Sequence, residues 1–249
     1  HTGSRGFGHQ VASDYLQTFL SAMKKTHGIE APDKQLACAP FRSREGQDYF
    51  AAMQCAVNMA FANRQLILYR IREVFSDVLG RPAEELGLRQ IYDVTHNTAK
   101  VEHHPIESGG QERELLIHRK GATRAFAPRM PGLPPEYAAI GQPVIIGGSM
   151  ETGSYLLLGT PEGAQTFYTT AHGSGRLMGR RKAKKQFDAD EIEAGMRKRG
   201  TYIRAKSKGG LAEEAGAAYK DIDAVVESAE AAGLSRRVAR LRPVGCIKG

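Results

Sequence analysis

A change of hydrophobic period near residue 90 constrains the fold of this chain more than any other feature. Before it, apolar residues recur at helical spacing. Val11, Tyr15, Leu16, Phe19, Leu20 and Met23 fall on one face of a segment spanning 9–25. A longer helix is expected over 43–79, carrying Tyr49, Phe50, Met53, Val57, Phe61, Ile67, Ile71 and Phe75, with Gly80-Arg81-Pro82 as its stop. Ala39-Pro40-Phe41 between them reads as loop. After residue 90 the apolar runs shorten to strand length. Candidates are 90–95, 114–118, 143–146, 155–159 and 166–170, each bounded by Gly, Pro or charge. The segment 188–198 has acids in its first turn and reads as a helix, and 202–205 reads as a strand. Asp221 and Gly233 frame a helix over 221–232, and 238–247 alternates as a last strand. There is no repeat, heptad or linker of domain-boundary length. The expectation is an α+β fold, a single compact body of mixed or antiparallel sheets flanked by helices.

Composition narrows the class. Hydrophobic residues make up 41% of the 249 and charged residues 25%, an ordinary globular balance that excludes disorder and collagen. No apolar run approaches the roughly 18–20 residues of a membrane-spanning helix. Three cysteines cannot frame a disulfide scaffold in a chain this long, which makes the cytoplasm the default compartment. A net charge of +8 favours a polyanionic partner. The opening residues, His1-Thr2-Gly3-Ser4-Arg5, read as the middle of a domain, so 1–249 is expected to be the C-terminal part of a longer catalytic domain.

Three of the eight histidines lie in glycine-rich or polar loops at the ends of expected elements: His1, His96 and His172. His103-His104 reads as a solvated pair, and His9, His27 and His118 as ordinary surface or core residues. The sharpest motif is His172-Gly173-Ser174-Gly175-Arg176. Its glycines let the backbone approach a ligand, and successive N–H groups there can form an anion nest that Arg176 and Arg180 reinforce. An imidazole at such a nest can act as base, metal ligand or phosphoryl-accepting nucleophile. The bland alternative is a glycine turn after a strand. Residues 147–154, Gly-Gly-Ser-Met-Glu-Thr-Gly-Ser, join two apolar strands. They form either a phosphate-contacting loop or a long hairpin connection, and lack the Gly-Lys-[Ser/Thr] of a Walker A loop. Basic runs at 119–124, 176–185, 197–199 and 236–242 suit a phosphate backbone, although no aromatics interleave with them as in a single-strand reader. Cys246 reads as a core residue.

Together these stretches resemble the RtcB family of RNA ligases. The resemblance rests on His1-Thr-Gly-Ser-Arg-Gly-Phe-Gly-His-Gln10, Asn58 to Gln65, His96-Asn-Thr-Ala-Lys-Val-Glu102, His118 to Phe126, Gly148-Ser-Met150, His172 to Arg176, Ala218-Tyr-Lys-Asp221 and Ile247-Lys-Gly249. It implies an RtcB-like fold and an enzyme that uses GTP and manganese, two ions of it. Such an enzyme joins RNA 2′,3′-cyclic phosphate or 3′-phosphate ends to 5′-hydroxyl ends, in tRNA splicing or RNA repair. The resemblance makes His172 the nucleophile that takes GMP, and His1 and His96 manganese ligands. It places Ser149, Ser154, Tyr219 and Lys248 about the guanine, with Gly173, Ser174 and Gly175 also lining the GTP site. Arg5, Arg176 and Arg180 become contacts to RNA or triphosphate oxygens. An archease-type activator is a possible partner, and no membrane is involved. Gly147 and Glu151 stand where many relatives have Pro and Gly, and the family's Asp-x-x-Cys and Asn-His segments are absent from these residues. Two other readings are a metal-dependent phosphoesterase, which would need no GTP, and a non-catalytic RNA-binding module, which would not need the histidine set.

Overall fold

The computed structural model describes every residue except Ser108, Gly109, Gly245, Cys246, Lys248 and Gly249. Its contacts divide into two compact units, residues 1–90 with Ile247, and residues 91–246.

The first unit is helical. α1 (Arg5–His27) ends where Gly28 takes a left-handed conformation at φ 63°. α2 (Arg44–Leu79) begins at Ser43, whose hydroxyl accepts from the Gly46 amide at 3.2 Å, and ends at Gly80, φ 64°. Gly8 and Ala56 mark a close approach of the two helices, since a Cβ at Gly8 would run into Ser4 and lie 3.4 Å from Ala56. Tyr15, Phe19 and Tyr49 pack with ring centroids 5.3–6.3 Å apart. Much of α2 is nonetheless open, with Leu66, Tyr69, Val74, Phe75 and Val78 exposed.

Among its described residues, the second unit holds two antiparallel sheets of three strands each. The first has the order β1 (His96–Pro105), β2 (Glu112–Arg124), β5 (Thr169–Ala171). The second has β3 (Pro143–Gly147), β4 (Ser154–Gly159), β6 (Ser235–Leu241). Around them lie α3 (Arg180–Gln186), α4 (Ala189–Lys198), α5 (Lys208–Glu213) and α6 (Ile222–Ala231). The main core is apolar. Ile146, Tyr155 and Leu157 of the second sheet pack on Ile222, Val226 and Ala229 of α6. Asp188 and Asp221 cap α4 and α6 with their carboxylates, as their sequence positions suggest. The outcome is a mixed helix-and-sheet fold compatible with the α+β expectation. No helix among the described residues is long and apolar enough to cross a membrane.

Four expected strands change. The one expected at 166–170 begins only at Thr169, because Thr166 closes a 3-10 turn and Phe167 and Tyr168 take left-handed backbone that cannot join a ladder. Residues 90–95 belong to no strand, and the strand starts at His96. There the apolar side chains had suggested a ladder, yet the ladder partner, β2, runs opposite 96–105. Residues 202–205 form no strand: Tyr202 is exposed, and Ile203 packs against a small cluster of Ala189, Leu211 and Ala212. The last strand occupies Ser235–Leu241 and ends before the expected 247, because β4 supplies partners only from Ser154 to Gly159.

Candidate active site

His96 opens β1 at an irregularity. Asn97 has φ 58°, and the pairing with β2 shifts register between His96 and Thr98. Such a bulge re-aims the side chains beside it. The bulge is held from β2, where the Gly121 amide donates to Asn97 Oδ1 at 3.2 Å and Thr123 Oγ1 to the Thr95 carbonyl at 2.6 Å. His172 follows directly on β5. The two imidazoles lie face to face, centroids 4.3 Å apart and planes 8° from parallel. Burial, with Lys120 nearby, holds the His172 pKa below the usual imidazole value, so its neutral form dominates near neutral pH.

The loop after His172 is stitched on both sides. On one side the Gly147 amide donates to the His172 carbonyl at 3.2 Å and the Ser174 amide to the Gly147 carbonyl at 2.8 Å. This joins the end of β3 to the loop. On the other side Leu177 donates to the Ala218 carbonyl at 2.9 Å and Lys220 to the Gly175 carbonyl at 3.0 Å. Gly175 sits at φ 72°, a conformation that glycine takes without strain. Among the described residues, the Gly173 and Gly175 amides donate to no other group. The Ser174 hydroxyl is buried and also lacks a partner there. A buried, unsatisfied hydroxyl is costly, and a ligand oxygen would relieve it.

Residues 147–154 form the β3–β4 connection and fold around Ser149. Its buried hydroxyl accepts from the Glu151 and Thr152 amides at 3.1 and 3.2 Å and shares a bond with Thr152 Oγ1 at 3.1 Å. The Gly148 amide reaches the Gly153 carbonyl at 2.9 Å. Any Cβ at Gly148 would collide with that carbonyl, so this position requires glycine. Ser154 begins β4 opposite Gly147. Glu151 ties the loop outward. One carboxylate oxygen pairs with Arg199 at 2.9 Å, and the other accepts from the Gly216 amide, three residues before Tyr219.

Arg176 and Tyr219 form a unit of their own. The guanidinium lies 4.6 Å over the Tyr219 ring and donates to its hydroxyl at 2.8 Å. It also bonds the Met178 and Glu213 carbonyls. Tyr219 in turn donates to Glu214 at 2.6 Å. Burial and then that bond push the phenol up to about 12. Glu214 carried no signal in the sequence. Arg180, at the start of α3, is near enough to pull the Tyr219 pKa slightly down.

Sequence reasoning also missed a buried charge network behind the histidines. Arg119 donates two bonds to Glu102, at 2.7 and 2.8 Å, and His104 Nε2 lies 2.8 Å from the same carboxylate. Arg119 and His104 are each 3% exposed, so the expected solvated pair is half wrong: His103 is exposed and His104 is core. Burial alone pushes the Glu102 carboxyl upward, but the Arg119 and His104 bonds outweigh it and hold the group below its usual range. Arg119 also reaches the Phe167 carbonyl at 2.9 Å and Thr169 Oγ1 at 3.0 Å. Phe167 and Tyr168 have φ 52° and 51°. Left-handed backbone costs a non-glycine residue on the order of 1 kcal/mol or more.

Of the expected site residues, then, His96, His172, Gly173, Ser174, Gly175, Ser149, Ser154, Arg176, Arg180 and Tyr219 lie in the second unit. His1 and Arg5 belong to the first. There Asn63 of α2 donates to Thr2 Oγ1 at 3.1 Å and the Gly3 carbonyl at 3.0 Å, which fixes the chain leading into α1. Arg5 begins that helix at φ 54°. Lys248 and Cys246 lie outside the described residues. Among the described residues no three His, Cys, Asp or Glu side chains converge in a metal-holding cluster. The donors present therefore do not by themselves make a manganese shell.

The whole chain, residues 1–249, matches the family model described as tRNA-splicing ligase RtcB. It is 49% identical over 250 residues to the tRNA-splicing ligase RtcB of Archaeoglobus fulgidus, covering all of this chain and 51% of that protein. It is 50% identical over 250 residues to the same-named protein of Methanococcus maripaludis, of which it covers 52%. The RNA-splicing ligase RtcB of Mycobacterium tuberculosis is 49% identical over 249 residues, with 56% of that protein covered. The chain thus spans about half the length of these curated relatives. With the motifs it carries from its first residues to its last, it belongs to the RtcB family.

Proposed function

We propose that this chain forms part of a GTP- and manganese-dependent RNA ligase with an RtcB-like catalytic domain. The enzyme joins RNA 2′,3′-cyclic phosphate or 3′-phosphate ends to 5′-hydroxyl ends, in tRNA splicing or RNA repair. The observation that carries this reading is the placement of His172. A half-buried imidazole with a lowered pKa stands at the mouth of a loop in which, among the described residues, two amides are unengaged and a buried hydroxyl has no partner.

His172 nitrogen attacks the α-phosphorus of GTP; the N–P bond forms as the bond to pyrophosphate breaks. Water first opens a 2′,3′-cyclic end at its P–O2′ bond to give the 3′-phosphate; the GMP then passes to that phosphate, and the incoming 5′-hydroxyl displaces GMP as it forms the 3′–5′ linkage. The Gly173 and Gly175 amides and Ser174 hydroxyl are suited to phosphate oxygens. Ser149, Ser154 and Tyr219 would form the guanine-side wall, and the family resemblance adds Lys248, which lies outside the described residues. Arg180, Arg5 and Arg176 face RNA or triphosphate oxygens, Arg176 after exchanging part of its Tyr219–Glu214 pairing. His1 and His96 are the side chains of this chain that would hold manganese. When bound, the metal supplies charge neutralisation at the phosphate.

Intact mass of the full-length polypeptide after incubation with GTP and Mn²⁺ tests this. A gain of one GMP, absent in His172→Ala, is expected. Release of phosphate from RNA ends without nucleotide, and no adduct, would replace the ligase with a phosphoesterase. Binding of RNA with neither would leave a binding module.

A further inference from the structure

We propose that Arg119 is a positioning residue for His172, acting through the turn that launches β5; its significance for chemistry rests on the nucleophile reading above. β5 has three residues and three ladder pairs, Ala122 with Ala171, Thr123 with Thr170 and Arg124 with Thr169. So short a strand does not fix the direction of the residue after it. The approach to it is Phe167-Tyr168, two consecutive non-glycine residues at positive φ. Such a pair persists only where its surroundings over-determine it.

Arg119 bonds inside that kink and just after it, to the Phe167 carbonyl at 2.9 Å and to Thr169 Oγ1 at 3.0 Å. Its planar fork is itself fixed by two bonds to Glu102, at 2.7 and 2.8 Å. His104 bonds the same carboxylate and sets its ring 5.4 Å from the Phe167 ring. Glu102 and His104 lie on β1, the strand that His96 begins. The network therefore links the strand carrying one imidazole to the turn delivering the other. The 8° alignment of the two rings is what such a linkage would set. A lysine in place of Arg119 could not make the bidentate pair and reach the turn as well.

The test uses the full-length polypeptide with ¹³C-labelled histidine, free of metal and nucleotide. The His172 ring signal, assigned with His172→Ala, carries the ring-current shift of the stack, and His96→Leu gives the unstacked position. Arg119→Lys and Arg119→Met are compared with Thr169→Val, which removes one acceptor while keeping the side-chain shape. The expected result is movement of the His172 signal toward the unstacked position in each folded variant. Adduct formation with GTP should slow about tenfold or more, as for a misaligned nucleophile, while KM for GTP stays within about twofold. Should Arg119→Met or Arg119→Lys not fold, Thr169→Val decides. Folded variants that keep the wild-type signal and wild-type adduct rate would overturn the proposal. A wild-type protein that forms no adduct would sink the ligase reading alone, and the ring signal would still decide the positioning role.

Discussion

The two sheets of the second unit solve the same problem by opposite means. The β3–β4–β6 sheet is held by apolar burial: Ile146 and Leu157 are fully enclosed against α6. The β1–β2–β5 sheet buries charge instead, with Glu102, Arg119 and His104 where an ordinary sheet would carry Val or Ile. Apolar packing is non-directional and tolerant, so it stabilises without aiming anything. A bidentate ion pair has directional bonds and a large penalty for being half made. The sheet that carries His96 and His172 is the directional one, and it meets the apolar sheet where Gly147 bonds the loop after His172.

That contrast can be broken first at Glu102. Glu102→Leu leaves the Arg119 guanidinium buried beside a hydrocarbon, and a loss of about 3–5 kcal/mol is expected in urea unfolding of the full-length polypeptide. Adding Arg119→Met should recover most of that stability, since replacing both charges is close to neutral, while leaving the histidine pair misaligned. Recovery of both would mean that the charges aim nothing. Acid sharpens the same point. The folded Glu102 pKa lies below its usual 4.5. Its contribution is therefore complete above that value and is lost as pH falls through the lower folded value. The stability gap between wild type and Glu102→Leu should be full near pH 7 and shrink as pH falls below 4.5.

Leu157→Ala is the matching cut in the apolar sheet. A loss of about 3 kcal/mol is expected from a cavity at a fully buried site. The His172 ring signal should stay at its wild-type position, and a shift as large as that of Glu102→Leu would erase the distinction between the sheets.

The smallest effect is expected at the seam. Glu151 bonds Arg199 and the Gly216 amide, but Arg199 is about half exposed, which weakens the ion pair. Glu151→Gly should cost about 1 kcal/mol and raise hydrogen exchange at the 148–153 amides. Unchanged exchange there would show that Ser149 alone orders the loop.

Much of this was legible in the sequence, for physical reasons that also explain the failures. α1 and α2 announce themselves because one face repeats at helical spacing and a glycine stops each. β3 and β4 are found because both of their faces are largely apolar. β1 is misplaced because its buried positions hold Glu102 and His104, residues that alternate like a solvent face. The histidines at 96 and 172 stand out by their polar and glycine neighbours, yet their stacking depends on a bulge at Asn97 and a kink at Phe167-Tyr168. Neither feature has a glycine or proline to mark it. Arg119 looked like part of a basic run because its partners are remote in sequence.

The near-parallel imidazoles set a limit on what the two can do together. A ring nitrogen offers its lone pair only within the plane of its own ring. Planes tilted by 8°, with centres 4.3 Å apart, do not meet within reach of either nitrogen. No single atom can then be bound in plane by His96 and His172 at once. The two must address different atoms, side by side.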